Sequence, residues 1–121
     1  GDIFIKTKKR RRVGIYAGNS PLSERIALEI EPQSTPLGIC CSAGTFGHSQ
    51  SLGEADAVVI LSPSASFADA AATAVGNIVK DDDSIGKGLE FLKKFPLVRG
   101  AIIIKDKKMG VWGQVKIVRG I

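Results

Sequence analysis

Ala57-Val58-Val59-Ile60-Leu61 is an unbroken apolar run, and a few residues later the chain becomes amphipathic over Ser66–Asn77. An apolar run of this length reads as a buried strand, and the stretch after it as the helix entered from that strand. On a wheel of 100° per residue, Phe67, Ala71, Ala74, Val75 and Ile78 share one face. Asp69, Thr73 and Asn77 share the other. Their i, i+4, i+8 spacing lines three oxygen-bearing side chains along one stripe. A carboxylate and a hydroxyl one turn apart suit a hard cation such as Mg²⁺, which takes oxygen ligands and keeps water for the rest. The same residues also read as a helix start. Ser66 is a good N-cap, Asp69 three residues on completes a capping box, and Thr73 can bond back to the Asp69 carbonyl.

Around this centre the chain sorts into strands, then two helices, then strands. Asp2–Lys6 and Arg12–Ala17 read as an antiparallel pair, and Gly18–Pro21 is turn chemistry. Arg25–Glu31 alternates strictly, with Ile26, Leu28 and Ile30 on one face and Glu29 and Glu31 on the other. Leu37–Ser42 is a further strand, leading into the Gly- and hydroxyl-rich segment Ala43–Ser49, which holds His48. Asp81-Asp82-Asp83-Ser84 caps a second helix over Ile85–Phe95. Val98–Lys105 and Met109–Val118 are the closing strands, joined by a turn at Asp106–Lys108. Such segregation predicts an α+β fold, a largely antiparallel sheet with two consecutive helices packed on one face. Gly-x-Gly-x-x-Gly and the P-loop pattern are both absent.

Charge and cysteine content narrow the function classes. The net charge is +5, but five of the 17 basic residues lie in the run Lys8–Arg12. Without that run the charge is near zero, and no aromatics interleave with it, so it reads as a solvated hairpin end rather than a phosphate-binding face. Nothing points to nucleic acid as a partner. No run reaches the roughly 18 apolar residues of a membrane span, and the opening residues do not form a leader. The two cysteines, Cys40 and Cys41, are adjacent and suggest no disulfide framework. If Leu37–Ser42 is a strand, their side chains point to opposite faces and cannot close a regular disulfide. A reducing cytoplasm is the expected setting.

Three blocks carry a resemblance. Gly38–Ser49 contains Gly-Thr-Phe-Gly-His-Ser, Ala55–Val59 reads Ala-Asp-Ala-Val-Val, and Ala68–Ala74 reads Ala-Asp-Ala-Ala-Ala-Thr-Ala. Together with Gly-Asp-Ile at the start and Gly-Asn-Ser-Pro-Leu at Gly18–Leu22, they resemble the C-terminal half of the ApbE-like superfamily, the FAD:protein FMN transferases. Within it, the likeness is to a smaller branch known from methanogens and anaerobic bacteria. The resemblance implies one ApbE-like domain over residues 1–121, half of a larger fold, with a separate N-terminal half or a second protomer as partner. It implies Asp69 and Thr73 as Mg²⁺ ligands beside the pyrophosphate of FAD or another nucleotide. Ser42, Gly44, Thr45 and His48 would line the nucleotide pocket. The chain departs from the family where His48-Ser49-Gln50-Ser51-Leu52-Gly53 stands in place of His-x-x-Asp-Pro-x-Thr-Gly, and Cys41 stands where a Thr is usual.

Three functions stay open on this reading. One is Mg²⁺-dependent binding of a flavin or other nucleotide, with flavin-transferase chemistry. Another is sulfur trafficking in anaerobic sulfur assimilation, with Cys40 or Cys41 as carrier and His48 beside it. The last is a ligand-binding domain without catalysis. In the first and third, the loop Ser42–Ser49 and the polar stripe of the 66–79 helix should face one cleft.

Overall fold

The computed structural model describes residues 2–18, 20–42 and 55–120. In chain order these form β1 (Asp2–Ile5), β2 (Arg11–Gly14), β3 (Ile26–Ile30), β4 (Leu37–Ser42), β5 (Ala57–Ser62), α1 (Ala65–Ile78), α2 (Ile85–Leu92), β6 (Gly100–Lys105), β7 (Lys108–Gly113) and β8 (Ile117–Arg119). The fold is α+β and every strand pairing is antiparallel.

The expectation of one sheet needs correction. The strands form two sheets, one of five strands in the order β1-β4-β5-β6-β7 and one of three in the order β2-β3-β8. The large sheet is the middle layer. On β5 and β6, Val58, Ile60, Ala101 and Ile103 point to one face and pack with Ala68, Ala72 and Val75 of α1 and Leu92 of α2. Val59, Leu61, Ile102 and Ile104 point to the other face and pack with Ile15, Leu28 and Ile30 under the small sheet. This explains why the Ala57–Leu61 run has no polar alternation: both faces of β5 are covered. Each fully buried aliphatic side chain contributes about 1.5–3 kcal/mol, so these central strands carry much of the stability.

Two pairings differ from the sequence reading. β1 and β2 do not form a hairpin. β1 pairs with β4, Asp2 opposite Cys40 and Phe4 opposite Gly38, while β2 pairs with β3. The Lys8–Arg12 run therefore leads from one sheet into the other. The closing strand also divides, β7 joining the large sheet and β8 the small one. The break falls at Gly113, whose φ of +84° and close approach to the Arg99 carbonyl exclude a side chain.

The helices start where local chemistry allows, one of them shifted. Ser64, not Ser66, caps α1, its Oγ accepting from Phe67 N at 3.2 Å. Asp69 thus lies in the second turn, outside any capping box. Ala68, Ala71, Ala72 and Val75 are buried, and Asp69, Thr73 and Asn77 are exposed, so the polar stripe faces outward. Asp81 and Ser84 form a reciprocal capping box ahead of α2, which ends at Leu92 rather than Phe95.

Candidate functional site

α1 lies along β4, and the reason is Gly38. A Cβ there would stand 2.7 Å from both Cα and N of Ala65, so only glycine lets the first turn of α1 rest on the strand. Two strand residues further on, Cys40 Sγ donates to Asp69 Oδ1 at 3.7 Å. Four helical residues rise about 6 Å and two strand residues about 6.8 Å, so the steps keep pace. α1 thus runs along β4 toward the Ser42 end of the strand.

Cys40 is 2% exposed and belongs to the core beneath the helices, while Cys41 packs against the opposite core. The two cysteines point apart, as strand alternation requires, and are not joined in a disulfide. The Asp69 hydrogen bond uses the proton of the Cys40 thiol. Thr73 Oγ1 donates to the Asp69 carbonyl at 3.1 Å, the back-bond its spacing allows. Its hydroxyl oxygen keeps acceptor capacity. Asp69 and Thr73 are thus brought together on one exposed ridge. Gly44, Thr45 and His48, and the predicted cleft they would share with the helix, lie outside the described residues. Among the described residues, no group of three or more His, Cys, Asp or Glu side chains converges on a metal position.

Two buried carboxylates, Asp56 at the start of the most buried strand and Glu29, lie outside the residues singled out as site candidates. Asp56 is 3% exposed and its Oδ2 accepts from Asp106 N at 2.7 Å, holding the β6–β7 turn where Asp106 takes φ of 54°. Glu29 was assigned to a solvent face, yet its side chain is 5% exposed. Lys116 Nζ lies 2.5 Å from it, with Arg12 at 3.8 Å and Arg10 at 4.0 Å. The Lys116 hydrogen bond holds the Glu29 carboxyl below its usual value and in turn raises the Lys116 ammonium. The only sequence signal was opposite charge: two glutamates on one strand and a basic run elsewhere. Arg10 and Arg12, though still largely exposed, are therefore not a hairpin end but the outer part of an ion-pair network.

A family model described as AbpE bacteria matches residues 1–88. The chain belongs to that family. It is similar to UPF0280 proteins of Methanocella arvoryzae, 46% identical over 98% of this chain and 49% of the relative, and of Methanococcus aeolicus, 41% identical over 95% and 48%. A UPF0280 protein of Methanothrix thermoacetophila is 43% identical over 98% of this chain and 49% of the relative. The chain spans about half the length of these relatives. These findings overturn the resemblance to the ApbE-like FMN transferases: the matching family is AbpE bacteria, and the relatives are named UPF0280 proteins. The blocks that carried that likeness are short and rich in Gly, Ala and Ser, which turns and close helix–strand packing select unaided. Among the described residues, no helix is long and apolar enough to cross a membrane.

Proposed function

We propose that the ridge formed by α1 and the end of β4 binds a phosphate-bearing nucleotide together with Mg²⁺, with Asp69 as the protein's charged metal ligand. The observation that supports this most is the position of Asp69. Its carboxylate serves no helix cap, is exposed on the ridge, and has one oxygen taken up by Cys40. A single carboxylate with one hydroxyl fits the way Mg²⁺ is commonly held, where water and the ligand's phosphate oxygens complete the shell. Thr73 would supply the hydroxyl. Bound there, Mg²⁺ would neutralise the phosphates. The chain's own residues would orient the ligand through Ser42 and the ridge.

The reading of a cysteine as sulfur carrier draws no support from Cys40, which is buried beneath α1 with its thiol proton directed at a carboxylate. Calorimetric titration with ADP and with FAD, each with and without Mg²⁺, tests the proposal. Asp69→Ala should abolish the Mg²⁺-dependent part of binding while shifting stability by no more than about 1 kcal/mol, the scale of one hydrogen bond. Normal Mg²⁺-dependent binding by Asp69→Ala would refute it.

A further inference from the structure

The two oxygens of Asp69 do not stand alike on the ridge. Oδ1 accepts the Cys40 thiol proton at 3.7 Å. Among the described residues, no donor is directed at Oδ2. Cys40 has little room to give way, being 2% exposed and packed in the core beneath the helices. It also stands two residues from Gly38, where the first turn of α1 rests on β4. A buried group on a rigid strand thus fixes one side of an exposed carboxylate.

Thr73 is fixed in a similar way. Its hydroxyl proton is donated to the Asp69 carbonyl at 3.1 Å, so the lone pairs of Oγ1 face away from that backbone oxygen. The ridge therefore offers a cation two single oxygens, Oδ2 and Oγ1, rather than both oxygens of one carboxylate.

Ca²⁺ and Mg²⁺ differ on this point. Ca²⁺ takes more oxygens in a flexible geometry and accepts both oxygens of a carboxylate. Mg²⁺ demands a small regular octahedron, which water and phosphate oxygens complete around few protein ligands. A proton donor on Oδ1 repels a cation drawn toward that oxygen. It works against the two-oxygen mode and leaves the one-oxygen mode intact. Groups that hold a metal ligand from behind commonly change metal affinity by about 10–100-fold.

We infer that Cys40 determines metal specificity at the ridge, selecting Mg²⁺ over Ca²⁺ by occupying Oδ1 of Asp69; this rests on the proposed metal site. Calorimetric titration of the chain with ADP, in Mg²⁺ and in Ca²⁺, tests it through the ratio of two affinities, in which a general loss of fit cancels. The parent should bind ADP more tightly with Mg²⁺. Cys40→Ala should lower the Mg²⁺-to-Ca²⁺ ratio about tenfold. Cys40→Val, which fills the space without a proton to donate, should lower it alike. The thiol is also read without metal. In Cys41→Ser, which leaves Cys40 as the sole thiol, the infrared S–H stretch should rise in frequency when Asp69→Ala is added. A parent without preference for Mg²⁺, an unchanged ratio in both Cys40 variants, or an S–H band indifferent to Asp69→Ala would each overturn the inference, even where Asp69→Ala abolishes Mg²⁺-dependent binding and the proposed site stands. Mg²⁺-dependent binding that survives Asp69→Ala would remove the site and the inference together.

Discussion

Gly38→Ala is the sharpest probe of how α1 is seated. The added Cβ would stand 2.7 Å from Cα and N of Ala65 and 3.1 Å from its Cβ. Carbon atoms rest at about 3.5–4.0 Å, so the first turn of α1 must retreat by about 1 Å. The obstacle is backbone at the start of a 14-residue helix, not the tip of a flexible side chain, so no rotamer change relieves it. Overpacking of this kind costs about 1–3 kcal/mol. Restricting the unfolded chain returns about 0.4–1 kcal/mol. The net loss is about 1–2 kcal/mol, a fall of roughly 4–8 °C in melting temperature for a chain of this size. The displaced turn should also loosen the contact between Asp69 and Cys40, so Cys40 should react faster with a maleimide. Gly86→Ala is the control. It makes the same change inside α2 where nothing lies within 4 Å, and it should stabilise by about 0.5–1 kcal/mol. Urea unfolding and timed maleimide labelling measure both effects. If Gly38→Ala unfolds with the parent midpoint and labels at the parent rate, the seating argument is wrong.

Two further outcomes follow from the ion pairs and caps. Glu29 titrates below its ordinary 4.5 because Lys116 donates to it, so it stabilises the fold above that value and the contribution is lost as pH falls through the folded pKa. Urea midpoints should therefore drop below about pH 4.5, and Glu29→Gln should flatten that acid limb; an acid limb of unchanged steepness would count against the network. Ser64→Ala should cost about 0.5–2 kcal/mol by circular-dichroism melting, and Ser66→Ala distinctly less. The reverse order would return the cap to Ser66.

Periodicity and local hydrogen-bonding chemistry belong to consecutive residues, and part of both was legible without tertiary information. The polar stripe Asp69, Thr73, Asn77, the Asp81–Ser84 cap and the opposed directions of Cys40 and Cys41 followed from spacing alone, whereas the buried face of α1 is centred on Ala68, Ala71, Ala72 and Val75 rather than on Phe67, Ala71, Ala74, Val75 and Ile78. Partner choice did not. β1 and β2 each have a strand pattern, but their pairing with β4 and β3 depends on how much apolar surface two sheets and two helices can cover together. The cap of α1 was placed on Ser66 for a related reason. Ser64 suits it equally well locally, and the seat of the helix on Gly38, far earlier in the chain, accompanies the choice of Ser64. Glu29 shows the limit most plainly. Alternation put it on a solvent face, and only the arrival of Arg10, Arg12 and Lys116 from two separate segments encloses and pairs it. At the candidate site, Asp69 and Thr73 were legible as an exposed pair, whereas the thiol beneath Asp69 was not. A contact between residues 40 and 69 is set by the register of a helix on a strand, which no local pattern encodes.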